Sequence, residues 1–205
     1  MPIVRLRLPL IVAAVGIIAA GARLPAAQTK PTPTATPATT VAVNPDAPAV
    51  TAFMDRVNQY AALHKKLEAT LPALSKEAKP EQLTQRELSL GALIQSARAN
   101  AKRGDLFTPE MTAIVKRVMG LVFGGPEGQK LRNSIMDENV AELPLKVNQR
   151  FPSAIPLTTM PPALLKSLPE LPEEMQYRFV ATQFVLLDSH ANIVADFIPG
   201  VIPIK

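Results

Sequence analysis

The sequence predicts an α+β domain: a small bundle of three to four helices, a proline-rich wrap and a C-terminal three-stranded antiparallel meander. Three observations carry this prediction. An apolar stripe from Val50 to Leu71 alternates three and four residues apart, the spacing of one helix face. Two further amphipathic runs follow, each opened or closed by capping signals. Near the end of the chain, Tyr177–Val180, Phe184–Asp188 and Ile193–Ile198 are short β-branched or aromatic runs. These last runs hold four of the nine aromatic residues, so a sheet there buries much area per residue. A meander of three strands needs one face covered, and the upstream helices are the natural cover.

The first 48 residues stand apart from that domain. Met1 to Arg7 carries two arginines and no acid, and Leu8 to Ala22 then runs fifteen residues without a charge. A basic start, a short apolar core and small residues after it describe a secretory signal peptide. Ala20-Gly-Ala22 suits small-x-small cleavage, with cleavage after Ala27 as the alternative. An uncleaved anchor is disfavoured by length, because fifteen residues span roughly 22 Å of a ~30 Å hydrocarbon core. Residues 1–27 are therefore expected to be a signal peptide. The mature chain is expected to be periplasmic or extracellular, with no membrane span left after cleavage. Residues 28–48 are mostly Pro, Thr and Ala, a composition that favours a disordered, semi-stiff linker. The single domain is expected over residues 49–205.

Charge and composition exclude several classes. Four of the 22 basic residues (Arg5, Arg7, Arg23, Lys30) and one of the 17 acidic ones (Asp46) precede residue 49, leaving 18 against 16. The folded part is nearly neutral, and no clustered basic face points to nucleic acid. The chain has no cysteine, which excludes disulfides, thiolate zinc sites, covalent haem and a cysteine nucleophile.

The first helix is expected from about Ala49 to Leu71, with Val50, Phe53, Val57, Tyr60, His64, Leu67 and Leu71 on its apolar face and Pro72 ending it. For the second, Thr84 and Glu87 form a capping box flanked by the staple Leu83 and Leu88. Lys102-Arg103-Gly104 is its expected end. Thr108-Pro109-Glu110 opens the third helix, whose apolar face carries Met111, Ile114, Val115, Val118 and Val122. Gly124-Gly125 stops it, and a short fourth helix runs from Pro126 to about Glu138. Residues 139–174 contain seven prolines, which forbid long helices and central strands. Their many apolar residues predict an extended wrap over the helices, with one short helix at Ala163–Leu168. Strict alternation in the third strand puts Phe197 toward the helices and Asp196 toward water.

Few residues offer chemistry. His64 lies on the apolar stripe, where a lone histidine is ordinarily a core residue with one hydrogen bond, since zinc needs three or four protein ligands. His190 follows Asp188 and Ser189 in a turn, with Asp196 on the next strand. Asp188, His190 and Asp196 near one hairpin, together with His64, are the metal-ligand candidates, and turn chemistry is the simpler reading of that stretch. Ser189 beside His190 is no triad, because triads are defined by roles in space. The glycines between Gly120 and Gly128 lack the Gly-Lys-Ser/Thr of a phosphate loop. No catalytic residue and no cofactor are implied.

Gly104-Asp-Leu-Phe-Thr-Pro-Glu110, Gly125-Pro-Glu-Gly128, Leu143-Pro-Leu-Lys-Val-Asn148, Met160-Pro-Pro162, Leu168-Pro-Glu-Leu-Pro172, Tyr177-Arg-Phe-Val180 and Asn192-Ile-Val-Ala-Asp-Phe-Ile-Pro199 resemble a set of uncharacterised exported proteins of soil bacteria, over roughly residues 50 to 203. That resemblance implies export and transfers no activity or site. The terminal strands alone are similar to the C-terminal hairpin of small periplasmic proteins, including the nickel/cobalt homeostasis family, a likeness of two strands and a turn that assigns no metal. The expected role is a non-catalytic binding or scaffolding module of the cell envelope with an envelope or extracellular protein partner. A metal-responsive periplasmic protein is the alternative, and a hydrolase the third.

Overall fold

The computed structural model describes residues 44–138, 144–152 and 160–202. They belong to one compact unit. The expected signal peptide and nearly all of the expected linker lie outside the described residues. The elements in chain order are α1 (Ala47–Glu68), α2 (Pro80–Ala97), α3 (Pro109–Gly124), α4 (Gly128–Glu138), α5 (Pro162–Leu165), β1 (Met175–Val180), β2 (Gln183–Asp188) and β3 (Ile193–Ile198). The strands form one antiparallel sheet in the order β1-β2-β3. The α+β class and the C-terminal meander are as the sequence predicts. Among the described residues, no helix is long and apolar enough to cross a membrane.

The helix faces follow their apolar spacing. Phe53, Val57, Tyr60, Ala61 and His64 of α1 are buried, and Leu67 and Leu71 pack at the margin of the same core. Phe53 stacks on Phe107 with centroids 5.2 Å apart, Phe107 lies 5.8 Å from Phe184, and Phe184 stacks on Tyr177 at 5.2 Å. This row of rings joins α1, the α2–α3 loop and the sheet. Each such pair contributes about 0.5–1.5 kcal/mol beyond its buried area. Thr108 caps α3 as expected, its side chain accepting from the Met111 N–H. The buried face of α3 is Met111, Val115, Met119 and Phe123, with Ile114 and Val122 beside it. At the start of α4, a Cβ on Gly128 would meet the Phe123 carbonyl at 2.1 Å, so only glycine lets the chain turn so tightly against α3.

Four expectations are corrected. Helix α2 starts at Pro80, one turn before the Thr84 box: the Gln82 side chain accepts from the Lys79 N–H, and Thr84 Oγ1 donates inward to the Pro80 carbonyl. It ends at Ala97, ahead of Lys102-Arg103-Gly104, which lie in the loop to α3. Residues 160–174 of the wrap join the core shared with the helices, through Met160, Leu164, Leu168 and Leu171, but the stretch 144–152 packs on the far face of the sheet, where Leu145 and Phe151 form a second core with Val180, Val185, Leu187, Val194 and Phe197. It also runs beside β3, through Asn148 N–H to Val194 O, Val194 N–H to Gln149 O and Phe151 N–H to Asn192 O.

The fourth correction is the facing of β3. Leu186 pairs with Asp196 and Leu187 with Val194, so Ala195 is an extra residue, a β-bulge. The bulge reverses the alternation after Ala195. Phe197 therefore enters the second core, under the Arg103 guanidinium at 5.7 Å, and Asp196 turns toward the helices. The bulged carbonyl is satisfied by Arg98, whose guanidinium also lies 4.8 Å over the Tyr60 ring.

Candidate metal centre

Asp188, the last residue of β2, organises the site. It is fully buried, and its carboxylate accepts four hydrogen bonds. Oδ1 takes the N–H groups of His190 (3.1 Å) and Ala191 (2.9 Å), an Asx-type turn that shapes the β2–β3 connection. Oδ2 takes the Tyr60 hydroxyl at 2.9 Å and His64 Nδ1 at 2.6 Å. One side chain thus sets the turn that carries His190 and fixes the ring of His64 from α1. Asp188 Oδ2 accepts from Nδ1–H, so whenever the ring is neutral its Nε2 presents a lone pair.

That Nε2 is buried and has no hydrogen-bond partner among the described residues. Glu68, one turn along α1, brings Oε2 to 3.5 Å from it, beyond the usual 2.7–3.2 Å of a hydrogen bond. Glu68 Oε1 is 3.3 Å from Arg86, whose other terminal nitrogen donates to the Pro72 carbonyl. The exposed His190 ring stands edge-on to His64 with centroids 5.6 Å apart. One ligand atom each from His64, Glu68 and His190 lie within 4.8 Å of one another. Glu174 borders the group: Oε1 pairs with Lys65 at 3.1 Å, Oε2 is buried without a partner, and its backbone carbonyl accepts from Ser189 in the turn.

The field at His64 is negative. Burial works against a charged ring, but the hydrogen bond and charge of Asp188, then the charges of Glu68 and Glu174, outweigh it and raise the imidazole above its ordinary range. Tyr60 is pushed well above the usual tyrosine range by burial and then by Asp188, so its hydroxyl stays a donor. A carboxylate bonded to the far nitrogen of a histidine is the arrangement that orients metal-ligating imidazoles elsewhere. Two imidazole nitrogens and one carboxylate oxygen form a borderline donor set suited to Zn²⁺, Ni²⁺, Co²⁺ or Cu²⁺, whereas Ca²⁺ and Mg²⁺ take oxygen shells.

Of the four sequence candidates, the structure brings together His64, His190 and Asp188, with Asp188 as support rather than ligand. Asp196 is elsewhere in role: its buried carboxylate accepts from the N–H groups of Gly104, Leu106, Phe107 and Phe197 and pins the α2–α3 loop. Glu68 and Tyr60 were not among the candidates. The signal for Glu68 was its position four residues after His64, which puts both on one helix face. No family model, curated protein or solved structure matches this chain.

Proposed function

We propose that this protein is an exported, non-catalytic module that binds one divalent transition-metal ion through His64, Glu68 and His190. The observation that carries the reading is the partnerless, buried Nε2 of His64. Leaving such a group unsatisfied costs about 1–3 kcal/mol, and a cation held with Glu68 and His190 removes that cost. Asp188 and Arg86 would hold the first two ligands in place. The basic and apolar start of the chain supports a periplasmic or extracellular setting, where an envelope protein would deliver or receive the ion.

Equilibrium dialysis against Zn²⁺ or Ni²⁺, with elemental analysis of the retained metal, tests this. Wild type should retain one ion per chain, and His190→Ala, which alters an exposed side chain, should retain the ion far more weakly with an unchanged circular dichroism spectrum. Wild type holding no metal, or His190→Ala holding it as well as wild type, overturns the reading and leaves the domain a scaffold.

A further inference from the structure

We propose that the bound ion keeps one coordination position open to an exchangeable donor from solution, a small anion; this inference rests on the metal reading above. Two ligands are nearly in place. In a tetrahedral site with bonds of about 2.05 Å, ligand atoms stand about 3.3 Å apart, and His64 Nε2 and Glu68 Oε2 are already 3.5 Å apart. His190 lies on an exposed turn and needs to close by no more than about 1.5 Å to reach that tetrahedral spacing from the 4.8 Å limit of the group.

These three atoms complete the group among the described residues. A closed structural zinc site uses four protein ligands, and a site with three holds water or an exogenous group in the fourth position. The direction of the opening follows from burial. His64 is fully buried, the Glu68 side chain is 33% exposed and His190 is exposed, so the vacant position faces solvent on the His190 side.

Charge selects the class of donor. A divalent ion with Glu68 as its one anionic ligand carries a net positive charge; Lys65, 65% exposed, and Arg86 offset Glu174 and Glu68, with which they pair, so the ion outweighs the remaining charge of Asp188. An anion entering from solvent meets cations at the rim and a positive metal at the floor. The exchange is a simple substitution: metal-bound water leaves with its electron pair and the anion donates its own, with no change of oxidation state. Among the described residues Glu174 is a competitor: its charge acts on His64, its buried Oε2 has no partner, and Lys65 holds its other oxygen.

Cobalt substitution reads the open position directly. The purified protein is loaded with Co²⁺, and its visible spectrum is followed while azide is added, in wild type and in Glu174→Gln. The inference predicts a saturable change in the cobalt bands of both proteins, one azide per ion, with cobalt retained on dialysis. A wild-type spectrum indifferent to azide overturns the inference while leaving the metal reading intact; if Glu174→Gln then becomes azide-sensitive, Glu174 closes the site. Failure of wild type to take up Co²⁺ at all overturns both.

Discussion

Replacing Asp196 by alanine should unpin the loop that leads into α3. The carboxylate takes the N–H groups of Leu106 and Phe107 at 2.9 Å each and that of Gly104 at 3.1 Å, across about ninety residues of sequence. Leu106 and Phe107 are 5% and 2% exposed, so water cannot replace the lost acceptor without opening the core. Two orphaned buried donors cost roughly 2–6 kcal/mol at about 1–3 kcal/mol each. Burial is the largest influence on the carboxyl and leaves it above its ordinary range despite four backbone donors, so removing it returns part of that cost. The net loss is expected at about 2–4 kcal/mol, a large part of a stability of about 5–15 kcal/mol. Phe107 also bridges Phe53 and Phe184, so the loss should spread through the whole cooperative unit. Urea unfolding followed by far-ultraviolet circular dichroism measures it. The midpoint should fall by roughly 1–2 M at an unchanged slope of about 2 kcal/mol/M. A loss under about 0.5 kcal/mol, the range of surface substitutions, would refute the assignment of Asp196 as a buried clamp.

Three more outcomes follow from the same packing. A Cβ on Gly91 would stand 3.0 Å from the Ala191 carbonyl, so Gly91→Leu should push α2 off the β2–β3 turn, cost about 1–3 kcal/mol in thermal unfolding and weaken metal retention. Asn148 has φ of 62° and donates to the carbonyls of Gln95 and Arg98, so Asn148→Ala loses both bonds and strains the backbone. Asn148→Gly loses the bonds alone and should be the milder change by about 1 kcal/mol. Because folding raises His64 above its unfolded value of 6.5, its contribution is fully present below pH 6.5 and is lost as pH rises through the folded value. The metal-free protein should therefore melt lower as pH climbs through that window, and His64→Asn should flatten the trend.

Local chemistry made much of the fold legible. The stripe from Val50 to Leu71 named the buried face of α1, the Thr108-Pro109 start of α3 was right, and the strand boundaries moved by no more than two residues at any end. What stayed hidden depended on tertiary structure. The bulge at Ala195 has no sequence mark of its own; its carbonyl finds Arg98 only once α2 is docked. The Thr84 box is a sound local signal overridden by Pro80 and the Lys79–Gln82 exchange one turn earlier. The site was legible only as parts. His64 and Asp188 are 124 residues apart, and only the packing of α1 against the end of β2 joins them. Glu68, a third exposed and off the apolar stripe, read as a surface charge.

The proposed centre requires that His64 offer Nε2 to a metal while Asp188 holds Nδ1. Nitrogen-15 NMR of the histidine side chains, recorded before and after one equivalent of Zn²⁺, tests it most directly. The His64 Nε2 resonance should move to the metal-bound range while Nδ1 keeps its proton, and a His190 nitrogen should shift with it. Zinc leaving both histidines unmoved, or binding His64 through Nδ1 with loss of the Asp188 bond, would contradict it.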